Sequence, residues 1–395
     1  MKFAERVQRV AGRGASAWDT HYQALIDQET DDEVIVLSVG DPDFATPDAI
    51  TQSAIQALEQ GDSHYTPILG RMELRQLIAD VFSQQSRVEA TADNVAILAG
   101  AQNALFSAAL CLLEAGDEVI SLDPMYLTYE AYLGVSGANI VRVPGLRETG
   151  FRPNLDAIAS SITEKTKAIA FSNPNNPSGV VINLEELESI AALAKENDLW
   201  VISDEVYGAL SFDQPHHSIA SLDGMFERTV TINSLSKSHA MTGWRLGWMV
   251  APQELVRHVE NLALCMLYGL PGFVQAAGIT ALGTALNERD AMRERYRRRK
   301  TVVCEELKNV PNITVLEPEA GMFVLVDVSA TSLSAAEFCS QLYATQKVSV
   351  LDGQAFGDNI KECIRLSFTS SSETLSQACR RIATFVAGIS NGAAL

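Results

Sequence analysis

Between residues 95 and 251 the chain repeats one hydrophobic pattern. A short, unbroken apolar run stops at a polar residue, and a stretch with apolar positions at helical spacing often follows. The runs are "VAILAG", "EVISLD", "KAIAFS", "LWVISDE", "TVTINS" and "LGWMVA". Runs that do not alternate with polar residues suit strands buried on both faces, and the segments 101–114 and 184–197 between them read as helices. Strand-then-helix units of this kind predict a largely parallel sheet. Helical spacing dominates 252–308. The tail then mixes "GMFVLVDVS", a helix near 334–345, "KVSVL", "CIRLSF" and a last helix from about residue 373. The expected fold class is α/β. A large domain over 46–290 would hold a mostly parallel sheet with helices on both faces, and 1–45 with 291–395 would form a smaller α+β domain. Clefts in such sheets open at the carboxyl ends of the strands, so the polar residues that end the apolar runs are the candidates for chemistry.

Composition narrows the partners. The 395 residues are 47% hydrophobic and 20% charged, as in an ordinary folded protein. A net charge of −19 argues against nucleic acid as a partner, and the basic run "RERYRRRK" at 293–300 reads as a solvated helix face. The six cysteines (111, 265, 304, 339, 363 and 379) form no C-x-x-C pair and read as reduced thiols. No metal site is expected. His216 and His217, in "FDQPHHS", read as surface, and His239 as a satisfied loop histidine. The first residues lack the apolar core of a secretory signal and no window reaches membrane-spanning length, so no membrane partner and a cytoplasmic location are expected.

Four strand ends carry the chemistry. "VAILA" runs into Gly100, Ala101 and Gln102 at the start of a helix, where free backbone N–H groups suit a phosphate; a tight turn explains the same residues. "AIAFS" runs into "NPNNPSG", a stiff loop that presents Asn176 or simply makes a turn. "LWVIS" ends in Asp204 and Glu205 with Tyr207 beside them, and a carboxylate at the end of an apolar strand calls for a cation. "TVTINS" ends in "SLSKS", which sets Lys237 among Ser234, Ser236 and Ser238, with Arg245 downstream. A phosphate cradle, a carboxylate, an amine and a guanidinium at one sheet edge are what pyridoxal 5′-phosphate needs: an aldehyde to meet the lysine, a ring nitrogen to keep protonated, and a phosphate to hold.

At these residues the chain resembles the class I/II aminotransferases, which are fold-type I pyridoxal-phosphate enzymes. "SLSKSHAMTGWRLGW", "NPNNPSG", "SDEVY" and "IRLSF" carry the likeness in order over essentially the whole chain. Within that family, "SLSKSHAMTGWR", "NLALCMLYG" and "AWDTHY" are similar to the bacterial arginine–pyruvate transaminases. The resemblance implies that Lys237 is the Schiff-base lysine and that Asp204 pairs with the pyridine nitrogen. It gives Tyr207 and Asn176 to the ring 3′-oxygen, and Tyr126 to the ring face. Gly100, Ala101, Gln102, Ser234, Ser236 and Arg245 would hold the phosphate. Arg365 would take the substrate α-carboxylate, with Gly40 lining the same pocket. Tyr65 would cross to a second subunit's phosphate, which implies a homodimer with shared sites. Trp18 and Asp19 would lie over the substrate entrance, where they suit a guanidinium; "SAWD" opening a helix accounts for them equally. The expected reaction moves the amino group of an L-amino acid, favoured as arginine or another long basic or neutral one, to a 2-oxo acid such as pyruvate. An aspartate or aromatic aminotransferase, or a C–S β-lyase, is the alternative on the same fold. The ligand-sensing domain of a regulator is set aside, because only about forty residues precede "SVGDPDFATP".

Overall fold

The computed structural model describes residues 3–10 and 18–390. Its strands, in chain order, begin with β1 (Ile35–Val36), β2 (Val95–Ala99), β3 (Glu118–Asp123), β4 (Asn139–Pro144) and β5 (Thr166–Ser172). They continue with β6 (Trp200–Asp204), β7 (Thr229–Ser234), β8 (Leu246–Val250), β9 (Thr314–Leu316) and β10 (Phe323–Asp327). The last three are β11 (Val348–Ser349), β12 (Leu351–Asp352) and β13 (Cys363–Ser367).

The largest sheet runs β2-β8-β7-β6-β5-β3-β4. β4, β3, β5, β6 and β7 are mutually parallel, and β8 is antiparallel to both β2 and β7. Every apolar run singled out in the sequence is one of these strands. Their side chains alternate between two cores, as continuous apolar runs require. Ala168, Ala170 and Ile202 face helix Gly100–Leu112 and helix Gln253–Met266, while Ile169, Phe171 and Val201 face helix Leu184–Glu196. Full burial of each large aliphatic side chain contributes about 1.5–3 kcal/mol. Helix Leu184–Glu196 starts at a reciprocal cap in which the Asn183 side chain accepts from the Glu186 N–H and the Glu186 carboxylate accepts from the Asn183 N–H. β4 is the one strand of this sheet absent from the sequence reading. It lies at the edge and is only partly buried, so "NIVRVP" has no continuous apolar run.

The C-terminal part holds an antiparallel sheet, β12-β13-β10-β9, and β1 pairs in parallel with β11. One core joins Ile35 and Leu37 to Tyr296, Phe338, Leu366 and Phe385, and extends to Val206 and Tyr207 just past β6. The N-terminal strand is therefore built into the C-terminal part. Arg299 clamps Asp43 with two bonds of 2.7 Å, and Arg152 reaches Glu319 at 2.5 Å, tying the segments together.

Two expectations change here. The basic run lies on helix Leu286–Leu307 but is not a uniformly solvated face. Tyr296, Arg299 and Lys300 are buried, the two cations being held by Asp43 and Glu317. His216 is not on the surface either. Its ring is largely covered, lies 3.6 Å from the buried Glu205, and sits where a Cβ on Gly208 would touch it. Among the described residues, no helix is long and apolar enough to cross a membrane, and no cluster of His, Cys, Asp and Glu suits a metal.

Candidate active site

The carboxyl ends of β5, β6 and β7 meet the C-terminal part in a cavity of about 430 Å³. At one end, β2 turns into helix Gly100–Leu112. Gly100 has a φ of +82°, and a Cβ on it would lie 2.5 Å from the Arg245 guanidinium. Across the turn, a Cβ on Gly247 of β8 would lie 2.6 Å from the Ala101 nitrogen, so only glycine lets the strand come this close. The result is a helix start with unpaired N–H groups beside a cation. Arg245 itself sits in the left-handed region at φ +56°, held by Nη1 donating to the Thr242 carbonyl at 2.8 Å. Ala101, Gln102, Ser234, Ser236 and Arg245 all line this end, and Gln102 and Arg245 remain exposed to solvent.

Asp204 ends β6 inside the cavity. Its Oδ2 accepts from the Tyr129 hydroxyl at 2.9 Å and its Oδ1 from the Val206 N–H at 3.3 Å. Burial pushes its carboxyl up to about 6, against the pull of those two bonds. Among the described residues no Lys, Arg or His forms an ion pair with Asp204. It is thus a buried carboxylate with no cation of its own. Tyr129 was missed in the sequence; its signal was its place three residues after Tyr126 in "MYLTY", on a six-residue helix.

Lys237 follows β7, and its Nζ donates to the Gly40 carbonyl at 2.7 Å. Burial, aided by Arg365 and Arg245 and opposed by Asp41, lowers its ammonium to about 8. Gly40 is close for a reason: a Cβ there would lie 2.1 Å from the Phe323 ring.

Arg365, on β13, is buried. Nη1 donates to Asn176 Oδ1 at 3.1 Å and Nη2 to the Ser38 carbonyl at 2.8 Å, while its charge lies 4.0 Å from the Phe323 ring centre and 4.5 Å from that of Phe356. Its Nε is buried with no hydrogen-bond partner among the described residues. Burial lowers its guanidinium to about 10, so it remains a full cation at neutral pH. Asn176 Nδ2 in turn reaches the Tyr207 hydroxyl at 3.5 Å, which joins the "NPNNPSG" loop to the residue after β6. Burial raises the Tyr207 hydroxyl far enough to keep it a neutral donor. Tyr126 lines the cavity beside Gln102.

The structure therefore gathers Lys237, Asp204, Tyr207, Asn176, Tyr126, Ala101, Gln102, Ser234, Ser236, Arg245, Arg365, Gly40 and Trp18 around one cavity. It does not bring Asp19 there. Asp19 is exposed in the first turn of helix Asp19–Gln28, where the helix's free N–H groups favour a carboxylate. Tyr65 is also outside this cavity: it is 85% exposed, its ring 4.6 Å from that of Tyr268. Asp41, Thr242 and Phe323 line the cavity and were not singled out in the sequence.

The donor set fits pyridoxal phosphate. A buried carboxylate lacks a cation, an amine is poised near neutrality, and a glycine-built helix start with a guanidinium and two serine hydroxyls faces the same space.

The family profile described as aminotransferase class I and II matches residues 32–382, and the chain belongs to that family of pyridoxal-phosphate-dependent transaminases. It is 51% identical over 383 residues to an arginine–pyruvate transaminase of Pseudomonas aeruginosa, covering 97% of this chain and 98% of that one. It is 37% identical over 354 residues to an aspartate aminotransferase of Pyrococcus abyssi, covering 89% and 91%. Among solved structures, the aspartate aminotransferase of Thermus thermophilus with maleate superposes with a TM-score of 0.91 at 31% identity, covering 97% of this chain and 99% of that one.

Proposed function

We propose that this transaminase moves the amino group of arginine, or of another long basic or neutral L-amino acid, to a 2-oxo acid such as pyruvate. The observation that carries it is the charge pattern of the cavity. Arg365 is buried in its wall, where it would take the α-carboxylate; Gln102 is neutral at the helix start; and Asp41 adds a carboxylate to the lining, where Thr242 donates to it at 2.7 Å. With Arg245 taken by the phosphate and Lys237 by the aldehyde, a dicarboxylate gains no further cation there, whereas a cationic side chain meets negative charge and the Trp18 ring. The 51% identity to a protein named arginine–pyruvate transaminase supports the same choice.

Pyridoxal phosphate supplies the aldehyde and the ring that accepts the electron pair left when the donor Cα loses its proton. The chain's residues do the rest. Ala101 and Gln102 N–H groups, the Ser234 and Ser236 hydroxyls and Arg245 would hold the phosphate. Asp204 would keep the proton on the ring nitrogen, with Tyr129 orienting it by a hydrogen bond. Tyr207 and Asn176 would donate to the ring 3′-oxygen, and Tyr126 would cover the ring face. Arg365 would grip the α-carboxylate, with Gly40 lining that side. The Lys237 amine, its pKa lowered to about 8 by burial, would hold the aldehyde carbon until the donor's own amine displaces it, and once free would carry the proton from the donor Cα to the cofactor's C4′.

Two shared features belong to the same proposal. The enzyme is a homodimer in which Tyr65 completes the partner's phosphate site; its exposed ring and the solvent-open Gln102 and Arg245 support this. Residues 46–290 would form the large domain, and 1–45 with 291–395 the small one; the C-terminal core supports this, since its buried residues come from Ile35, Leu37 and the stretch 296–386 apart from Val206, Tyr207, Leu210 and Phe212. A cytoplasmic setting suits the six free thiols. A donor and acceptor screen tests the substrate: arginine with pyruvate should exceed aspartate with 2-oxoglutarate in kcat/KM, and the reverse order would overturn the substrate choice.

A further inference from the structure

Helix Asp19–Gln28 buries only His21 and Ala24. Ala24 packs with Val34 and Tyr343, ordinary apolar contact. His21 does something else. Its Nδ1 lies 2.9 Å from the Ser38 hydroxyl, and the Ser349 hydroxyl donates to the same oxygen at 3.1 Å. Ser38 follows β1, is fully buried, and uses its carbonyl to hold Arg365 Nη2 at 2.8 Å. Two residues on, the Gly40 carbonyl holds Lys237. On its other side the His21 ring stands edge-on to Trp18, centroids 5.2 Å apart, and Trp18 forms part of the cavity wall. One imidazole thus touches both the wall of the donor site and the hydroxyl of the serine whose carbonyl holds the Arg365 guanidinium. Burial first, and then the Arg365 charge, lower the pKa of His21, so at neutral pH the ring is uncharged and adds no second cation beside Arg365.

We propose that His21 is a positioning residue for the amino donor: through Ser38 it fixes Arg365, and through ring contact it fixes Trp18, so that α-carboxylate and side chain are gripped from one rigid unit. This rests on the reading of Arg365 as the carboxylate site. A ring that only stabilised the helix would need neither the Ser38 bond nor a place between Trp18 and Arg365. Asparagine at position 21 keeps a hydrogen-bonding atom where Nδ1 stands, while alanine removes both the bond and the ring.

The test is the first half-reaction of the holoenzyme, without acceptor, read from the cofactor's visible absorption for wild type, His21→Ala, His21→Asn and Ser38→Ala. Arginine and alanine serve as donors. Loss of the His21–Ser38 hydrogen bond predicts roughly three- to tenfold weaker apparent binding of both donors in His21→Ala, and at least as much in Ser38→Ala, which also loses the Ser349 bond, with the limiting rate held within about twofold. His21→Ala should weaken arginine more than alanine, because Trp18 is released as well, and His21→Asn should recover most of the alanine binding. Amide hydrogen exchange over residues 19–28 should quicken in His21→Ala. Unchanged donor binding in the Ser38→Ala and His21→Ala holoenzymes overturns the proposal. So does a fall in limiting rate at constant binding, or His21→Asn behaving no better than His21→Ala. If wild type itself fails to convert arginine, the substrate choice falls, and the same comparison on the donor it does convert still decides His21.

Discussion

The Tyr129 hydroxyl donates to Asp204 Oδ2 at 2.9 Å, deep behind the cavity, and supplies one of the two hydrogen bonds that hold that carboxylate in its ionised form. Without it, burial would dominate further and the carboxyl, already near 6, would rise.

Tyr129→Phe should therefore weaken cofactor binding in a pH-dependent way. Near pH 6 the ionised fraction of Asp204 drops and affinity with it; near pH 8 the carboxylate stays ionised and the loss shrinks. Titrating the apoenzyme with pyridoxal phosphate at both pH values checks this, and an equal loss at both would contradict it. Asp204→Asn goes further: cofactor still binds, but the proton-transfer steps slow by about a hundredfold or more because an amide cannot hold the ring proton.

The purified enzyme should be yellow, and Lys237→Ala should lose transamination while keeping its fold. Since the wild-type amine sits near 8, capture of added cofactor by the apoenzyme should speed up as pH rises through that value. Stopped-flow absorbance measures it. Near wild-type turnover in the alanine variant would remove Lys237 from its role.

Behind the site, Glu205 accepts from the Ser218 hydroxyl at 2.7 Å and from Ser203 at 3.0 Å, yet burial still lifts its carboxyl from 4.5 to about 8. The folded chain then keeps a proton that the unfolded chain gives up between those values. Folding binds protons in that window, so stability must fall as pH rises from about 4.5 to about 8. Glu205→Gln lacks the titration, and its amide can donate to the unpartnered His216 Nε2. Its melting temperature should decline less over that range than wild type's; parallel curves would refute the account.

How much of this was visible beforehand follows from where each residue sits. Lys237, Asp204 and Asn176 stand at or just beyond the ends of buried strands, where an apolar run halts at a polar group, and the sequence displays that break; Arg245 immediately precedes the run of β8. β4 and Tyr129 display nothing similar: one is a half-exposed edge strand, and the other becomes a partner of Asp204 only when a short helix folds beneath β6. The solvated face expected of "RERYRRRK" failed because Arg299 and Lys300 find Asp43 and Glu317, 256 and 17 positions away, which no local pattern relates. Asp19 lies exposed outside the cavity and opens a helix, the second of the two readings its sequence allowed.

The assembly is open to direct measurement. Tyr65 and Tyr268 form an exposed aromatic pair 4.6 Å apart, and the phosphate end of the cavity is open to solvent in one chain. Sedimentation should give a dimer, and Tyr65→Ala should weaken cofactor retention about ten- to hundredfold, the value of one hydrogen bond to a charged group. A monodisperse, fully active monomer would contradict the sharing of sites.

Substrate choice can be moved by single charges. Gln102 lines the cavity at the helix start, where a lysine would bring an ammonium toward a donor's distal carboxylate. Gln102→Lys should raise kcat/KM for aspartate by about ten- to hundredfold, the worth of a charge-assisted bond, and depress it for arginine. Asp41→Asn should do the second without the first, because it removes the negative charge from the lining and adds no cation. Asp19→Ala, exposed and outside the cavity, should leave both donors near wild type. Measured donor by donor, an Asp41→Asn variant that keeps full arginine specificity would show that the side chain is recognised elsewhere, and Trp18 would then be left as the residue to change.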